Sequence, residues 1–179
     1  MDLEKIVTQY VNDGYSELLA EARVCQDIVL KAIYKSSMNR NVTIKGGIVM
    51  RSITGDVRRA TRDIDLDFIK YSIEDDAIRN FINKLNCLEG ITLRISGDIE
   101  ELSQQEYRGK RVWVVISDDT GHSLKTKMDL GVHKNIQIEQ DEFCFDIYHD
   151  DEGVSLLKNS KEQMYAEKLR ALVKFGTFS

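Results

Sequence analysis

The chain has 179 residues, 42% apolar and 31% charged, with a net charge of −5. That suits one soluble globular domain. It leaves out a membrane helix, since no run approaches about 18 apolar residues, and the acidic balance argues against bulk electrostatic attraction to nucleic acid. The start, Met-Asp-Leu-Glu-Lys, has neither the basic head nor the apolar core of a signal peptide, so the expected location is cytoplasmic. Three widely spaced cysteines and three histidines without ligand spacing indicate neither a disulfide framework nor a zinc cage. Proline is absent, so element boundaries rest on glycines and polar clusters.

In chain order, residues 16–36 carry a helical pattern, with Leu18, Ala22, Cys25, Val29 and Ile33 on one face and Glu17, Glu21 and Asp27 elsewhere. Val42-Thr-Ile44 predicts a short strand ending at Gly46-Gly47, and 48–53 a short helix closed near Gly55. From Asp63 to Tyr71 the residues alternate: Ile64, Leu66 and Phe68 on one face, Asp63, Asp65 and Asp67 on the other. A helix is expected at about 73–85, with Glu74-Asp75-Asp76 complementing its dipole. Strands are expected at 91–95, 110–117, 123–133 and 143–148, the second and third joined by the turn Asp118-Asp-Thr-Gly121. Ser160-Lys-Glu-Gln163 is a capping box that opens a last helix running to Gly176. The order predicts an α+β domain, a mixed β-sheet flanked by helices.

The chemistry concentrates between Lys45 and Asp67. Glycines let backbone approach a phosphate closely. Asp-x-Asp on a strand places two carboxylates on one face, where a cation offsets their repulsion, and such oxygen ligands suit Mg²⁺ (or Mn²⁺) bridging to phosphates. Asp63 and Asp65 are the candidate metal ligands. Asp129, on the open face of a strand that could pair near the first, is the best third; Asp118, Asp119 and Asp146 are weaker rivals. Asp63, Asp65, Asp67 and Glu74 also fall at calcium-loop positions, but Phe68 stands where that loop needs glycine. The lysine precedes the glycines, so this is not a P-loop. Lys45 either reaches a phosphate or is an ordinary surface lysine. Lys168 lies on an apolar stripe with Met164, Ala171 and Phe175, either snorkelling to water or turned inward to a phosphate.

Together these segments resemble the AbiEii/AbiGii-type nucleotidyltransferase toxins of type IV-like toxin–antitoxin systems, from Lys45 to Phe175. Lys45-Gly46-Gly47 is similar to the family's opening. Arg59-Ala-Thr61-Arg-Asp63-Ile-Asp65 is similar to its Arg-x-Thr/Ser-x-Asp-Ile/Leu-Asp motif, and Ala166-Glu167-Lys168-Leu169-Arg-Ala171-Leu172 to its late helix. The resemblance implies a polymerase-β-like nucleotidyltransferase core that moves a nucleoside monophosphate from NTP·Mg²⁺ to an acceptor and releases pyrophosphate. The acceptor would be a tRNA 3′ end, as in some members, and a cognate antitoxin the partner, in a toxin–antitoxin or phage-defence setting. Asp63, Asp65 and Asp129 would be catalytic and metal-binding. Lys45, Gly46, Gly47, Arg59, Thr61 and Lys168 would hold the nucleotide. Residues 1–179 would form a single such domain, without the aspartate-bearing segment that usually follows the late helix. The alternative is a truncated or non-catalytic module that binds a nucleotide, an antitoxin or RNA.

Overall fold

A computed structural model describes residues 1–55, 61–102, 109–132, 140–148 and 150–175, without the side chains at 167, 168, 170–172, 174 and 175. Helix α1 (Leu3–Asn12) starts where the Asp2 carboxylate accepts the Lys5 N–H. Then come α2 (Glu17–Lys35), β1 (Val42–Lys45), α3 (Gly46–Thr54), β2 (Ile64–Phe68) and α4 (Asp75–Lys84). Strands β3 (Ile91–Ile95), β4 (Glu100–Leu102), β5 (Gly109–Asp118), β6 (Ser123–Val132), β7 (Asp141–Ile147) and β8 (Asp150–Lys158) lead to α5 (Lys161–Phe175). The Gln163 N–H donates to Ser160 Oγ, so the capping serine opens α5 as the sequence predicts.

The eight strands among the described residues join one mixed sheet in the order β3-β5-β6-β2-β1-β8-β7, with β4 beside β5. The centre matters most for function. There β2 pairs antiparallel with β1 and parallel with β6. One sheet face is apolar: Ile44, Ile64, Leu66, Phe68, Val112, Val114, Met128 and Leu130 are buried in one core with residues of α1, α2 and α4. Period-two alternation then sends Lys45, Asp65, Asp129 and Arg111 to the opposite face. This is the expected α+β arrangement. Since β2 is a paired strand through Phe68, the calcium-loop geometry does not form.

Three elements escape the sequence pattern. Helix α1 has only Leu3, Ile6 and Tyr10 buried, β4 is three residues long, and β8 opens on a polar Asp-Asp-Glu-Gly run. The face of α2 is also shifted from the expected one. Leu18 is half exposed, whereas Arg23, Gln26 and Asp27 are buried, because α2 is covered on more than its sheet side. Among the described residues, no helix is long and apolar enough to cross a membrane.

Candidate active site

The site begins at the junction of β1 and α3. Gly46 has φ +68°, a left-handed conformation that favours glycine. A Cβ on Gly46 would stand 2.1 Å from Asp65 Oδ2, and one on Gly47 would stand 2.4 Å from Thr61 Cβ. The two glycines are therefore needed for close approach, not only for a turn. They bring the amide-rich start of α3 against the Asp65 carboxylate, and helix N-termini attract anionic groups. Thr61 is fixed from behind: its carbonyl accepts the Gln26 Nε2–H at 2.8 Å, and Gln26 Oε1 in turn accepts from Arg51 Nη1.

Strand register completes the row. Asp65 lies opposite Lys45 on one side and Asp129 on the other, and Asp129 lies opposite Arg111. Thus the structure brings Asp65 and Asp129, 64 positions apart, onto adjacent strands at one level. Their partners differ. Arg111 holds Asp129 through two contacts of 2.8 Å. Lys127 Nζ lies 2.9 Å from Asp63 Oδ2. Lys45 Nζ lies 2.7 Å from Asp67 Oδ1. Asp65 makes no ion pair within 4 Å among the described residues. Burial pushes its carboxyl up to about 6; Lys45 opposes this, and the neighbouring Asp129 and Asp63 add to it.

Two supports were not singled out from sequence. Asp67 is the buried partner of Lys45, and Gly131 makes room for that pair: a Cβ there would stand 2.2 Å from Asp67 Oδ1 and 3.3 Å from Lys45 Nζ. Their signals were the third aspartate of the alternating run and a glycine inside a strand pattern. Arg111 and Lys127 were visible only as strand cations. Of the nucleotide-binding candidates, Arg59 lies outside the described residues, and Lys168 is in α5 with its side chain outside them.

The donor set suits a hard divalent cation. It consists of oxygens only, and its central member, Asp65, is half-buried beside two other carboxylates that a cation would relieve. Asp63, Asp65 and Asp129 do not converge on a point, since Lys127 and Arg111 draw two of them aside. A tighter group, with ligand atoms within 4.8 Å of one another, is Asp2, Asp118 and His122. Its geometry is that of a structural clasp. Asp118 accepts from the Leu3, Thr120 and His122 amides and the Thr120 hydroxyl. Burial works against its charge, but these donors hold the carboxyl down to about 2. The clasp ties the β5–β6 turn to the start of α1.

A family model described as nucleotidyl transferase AbiEii toxin, type IV TA system, matches residues 28–178. No curated protein matches the chain. The matched span contains every candidate site residue and leaves out α1 and the first part of α2.

Proposed function

Because the chain belongs to the AbiEii nucleotidyl transferase toxin family of type IV toxin–antitoxin systems, we propose that it transfers a nucleoside monophosphate from an NTP to an acceptor hydroxyl. One observation carries the reading: the Asp65 carboxylate, without an ion-pair partner among the described residues, is packed against the Gly46-Gly47 start of α3. An acidic metal anchor beside a cluster of backbone donors is what a triphosphate–metal complex requires.

In this proposal Asp63, Asp65 and Asp129 would hold Mg²⁺ or Mn²⁺ once Asp63 and Asp129 turn toward Asp65. When bound, the cation offsets phosphate charge and polarises the phosphoryl group under attack. The chain's own groups do the rest. The Gly46 and Gly47 amides receive the triphosphate tail. Lys45 exchanges Asp67 for a phosphate oxygen, and Arg59, Thr61 and Lys168 complete the nucleotide pocket. Asp129, oriented by Arg111, takes the proton of the acceptor hydroxyl. The new bond joins the acceptor oxygen to the α-phosphorus, the bond from that phosphorus to the bridging oxygen breaks, and pyrophosphate leaves. The acceptor is the 3′ end of an RNA, with tRNA the first candidate. An antitoxin is the protein partner and the cytoplasm the setting.

A second reading, a non-catalytic module that binds an antitoxin or RNA, draws on the Arg111–Asp129 and Lys127–Asp63 pairs, which already engage two of the three carboxylates. Thermal shift with each of the four NTPs, with and without Mg²⁺, separates the two. Transfer chemistry predicts a Mg²⁺-dependent rise in melting temperature with at least one NTP. Asp65→Asn should remove that rise and lower label transfer from NTP by about a thousandfold. If no NTP raises the melting temperature of the unmodified protein, the second reading takes its place.

A further inference from the structure

The outward face of β3, β5 and β6 is charged unlike the rest of the chain. It forms three rows in register. Arg94, Val115 and Lys125 make the first, Trp113 and Lys127 the second, and Arg111 and Asp129 the third, which continues to Glu100 of β4 on one side and to Asp65 and Lys45 on the other. The chain carries 30 acidic against 25 basic residues. Yet along these three strands the outward positions hold Arg94, Arg111, Lys125 and Lys127 and no carboxylate before Asp129. Arg94 and Lys125 are exposed, and neither makes an ion pair among the described residues. Trp113 is half-buried, and the Lys125 ammonium lies 5.0 Å from its ring centroid. At about 3.3 Å per residue, Lys125 and Asp129 are separated by about 13 Å along β6.

We infer that this face is the path of the acceptor, a single-stranded nucleic acid whose 3′-terminal hydroxyl sits at Asp129. The assignment rests on the transferase reading and adds to it a surface and its contacts. Single strands are held by cations along the backbone and by aromatic rings under the bases. Here a base stacks on Trp113 while Lys125 moves from the ring to a phosphate, and Arg94 takes another phosphate further from the site. Charge complementarity calls for a polyanion, and the Trp113 ring on this face together with continuity with the Asp129–Asp65 row favours a nucleic acid over an acidic protein.

Trp113 is the chain's one tryptophan, so its fluorescence reports this face alone. The probe is a single-stranded RNA of about 12 nucleotides with a free 3′ hydroxyl, a length within the range covered by such sites. Saturable quenching that weakens with added salt is expected. The double variant Arg94→Glu/Lys125→Glu should weaken RNA binding by about tenfold or more while leaving the NTP·Mg²⁺ thermal shift in place. Absence of quenching, or equal RNA affinity in the double variant, overturns the assignment. Quenching by polyglutamate and not by RNA overturns it in favour of an acidic protein. RNA quenching without any NTP·Mg²⁺ shift strikes the transferase reading and, with it, the acceptor role of the face.

Discussion

Asp27 and Asp65 are both pushed up to about 6 by burial, and the protein surrounds them in opposite ways. Asp27, inside α2, accepts the Tyr10 hydroxyl and the Tyr148 amide, and Arg23 Nε lies 3.2 Å from its other oxygen. Arg23 also donates to the Asp146 carbonyl. This network ties α1, α2 and the end of β7 together. Asp65 has carboxylates beside it, while Lys45, opposite it on β1, is engaged by Asp67. The difference teaches that a raised carboxyl by itself does not mark a functional group. What separates the two is whether the surroundings complete the charge or leave it for something to bind.

Removing the carboxylate tests that contrast most strongly. Asp27→Ala takes the carboxylate acceptor from the Tyr10 hydroxyl and the Tyr148 amide and leaves the buried Arg23 guanidinium without its counter-charge, and should cost about 3–5 kcal/mol in urea unfolding. Asp65→Asn should cost nothing at neutral pH, since it removes a half-buried charge that has no ion-pair partner among the described residues. Equal losses for the two variants would erase the distinction.

A smaller effect is expected at the glycine that faces Asp65. Gly46 and Gly55 both have φ near +67° (+68° and +66°), but only a Gly46 Cβ meets a neighbour; around Gly55 there is nothing within 4 Å. Gly55→Ala should therefore show backbone strain alone, about 1 kcal/mol. Gly46→Ala should cost about 1–3 kcal/mol and also abolish the NTP·Mg²⁺ thermal shift by displacing Asp65. A Gly46→Ala protein that keeps the nucleotide response would detach the glycine from the site.

The pH dependence is the finest of the three tests. For Asp27 and Asp65 the folded carboxyl lies above its unfolded value of 3.8. Each contribution to stability is present below that value and is lost as pH rises through about 6. Urea midpoints should fall between these limits, and fall less in Asp65→Asn, which lacks one of the two groups. An unchanged slope in that variant would show that Asp65 does not titrate as its burial requires.

Much of the architecture is local and could be read directly. The alternation from Ile64 to Phe68 made β2 a strand with an acidic face, and Ser160 with Gln163 marked the start of α5. The pattern misplaced Asp27, because periodicity tells which face of a helix is apolar but not how many neighbours will cover it. It passed over α1, where three buried side chains in ten residues make a weak signal.

For the site, the sequence alone determined its materials: a glycine pair after a strand, aspartates at period two, and an arginine–threonine lead-in, all within the reach of neighbouring residues. The tertiary structure alone decided who meets whom. Asp129 reached Asp65 through the parallel pairing of β2 with β6, Arg111 reached Asp129 through β5, Lys45 turned to Asp67 above Gly131, and Gln26 closed on Thr61. The physical reason is range. Side-chain alternation follows from the backbone of one strand, whereas the partner of a charge depends on strand order and register set by residues far away in the chain.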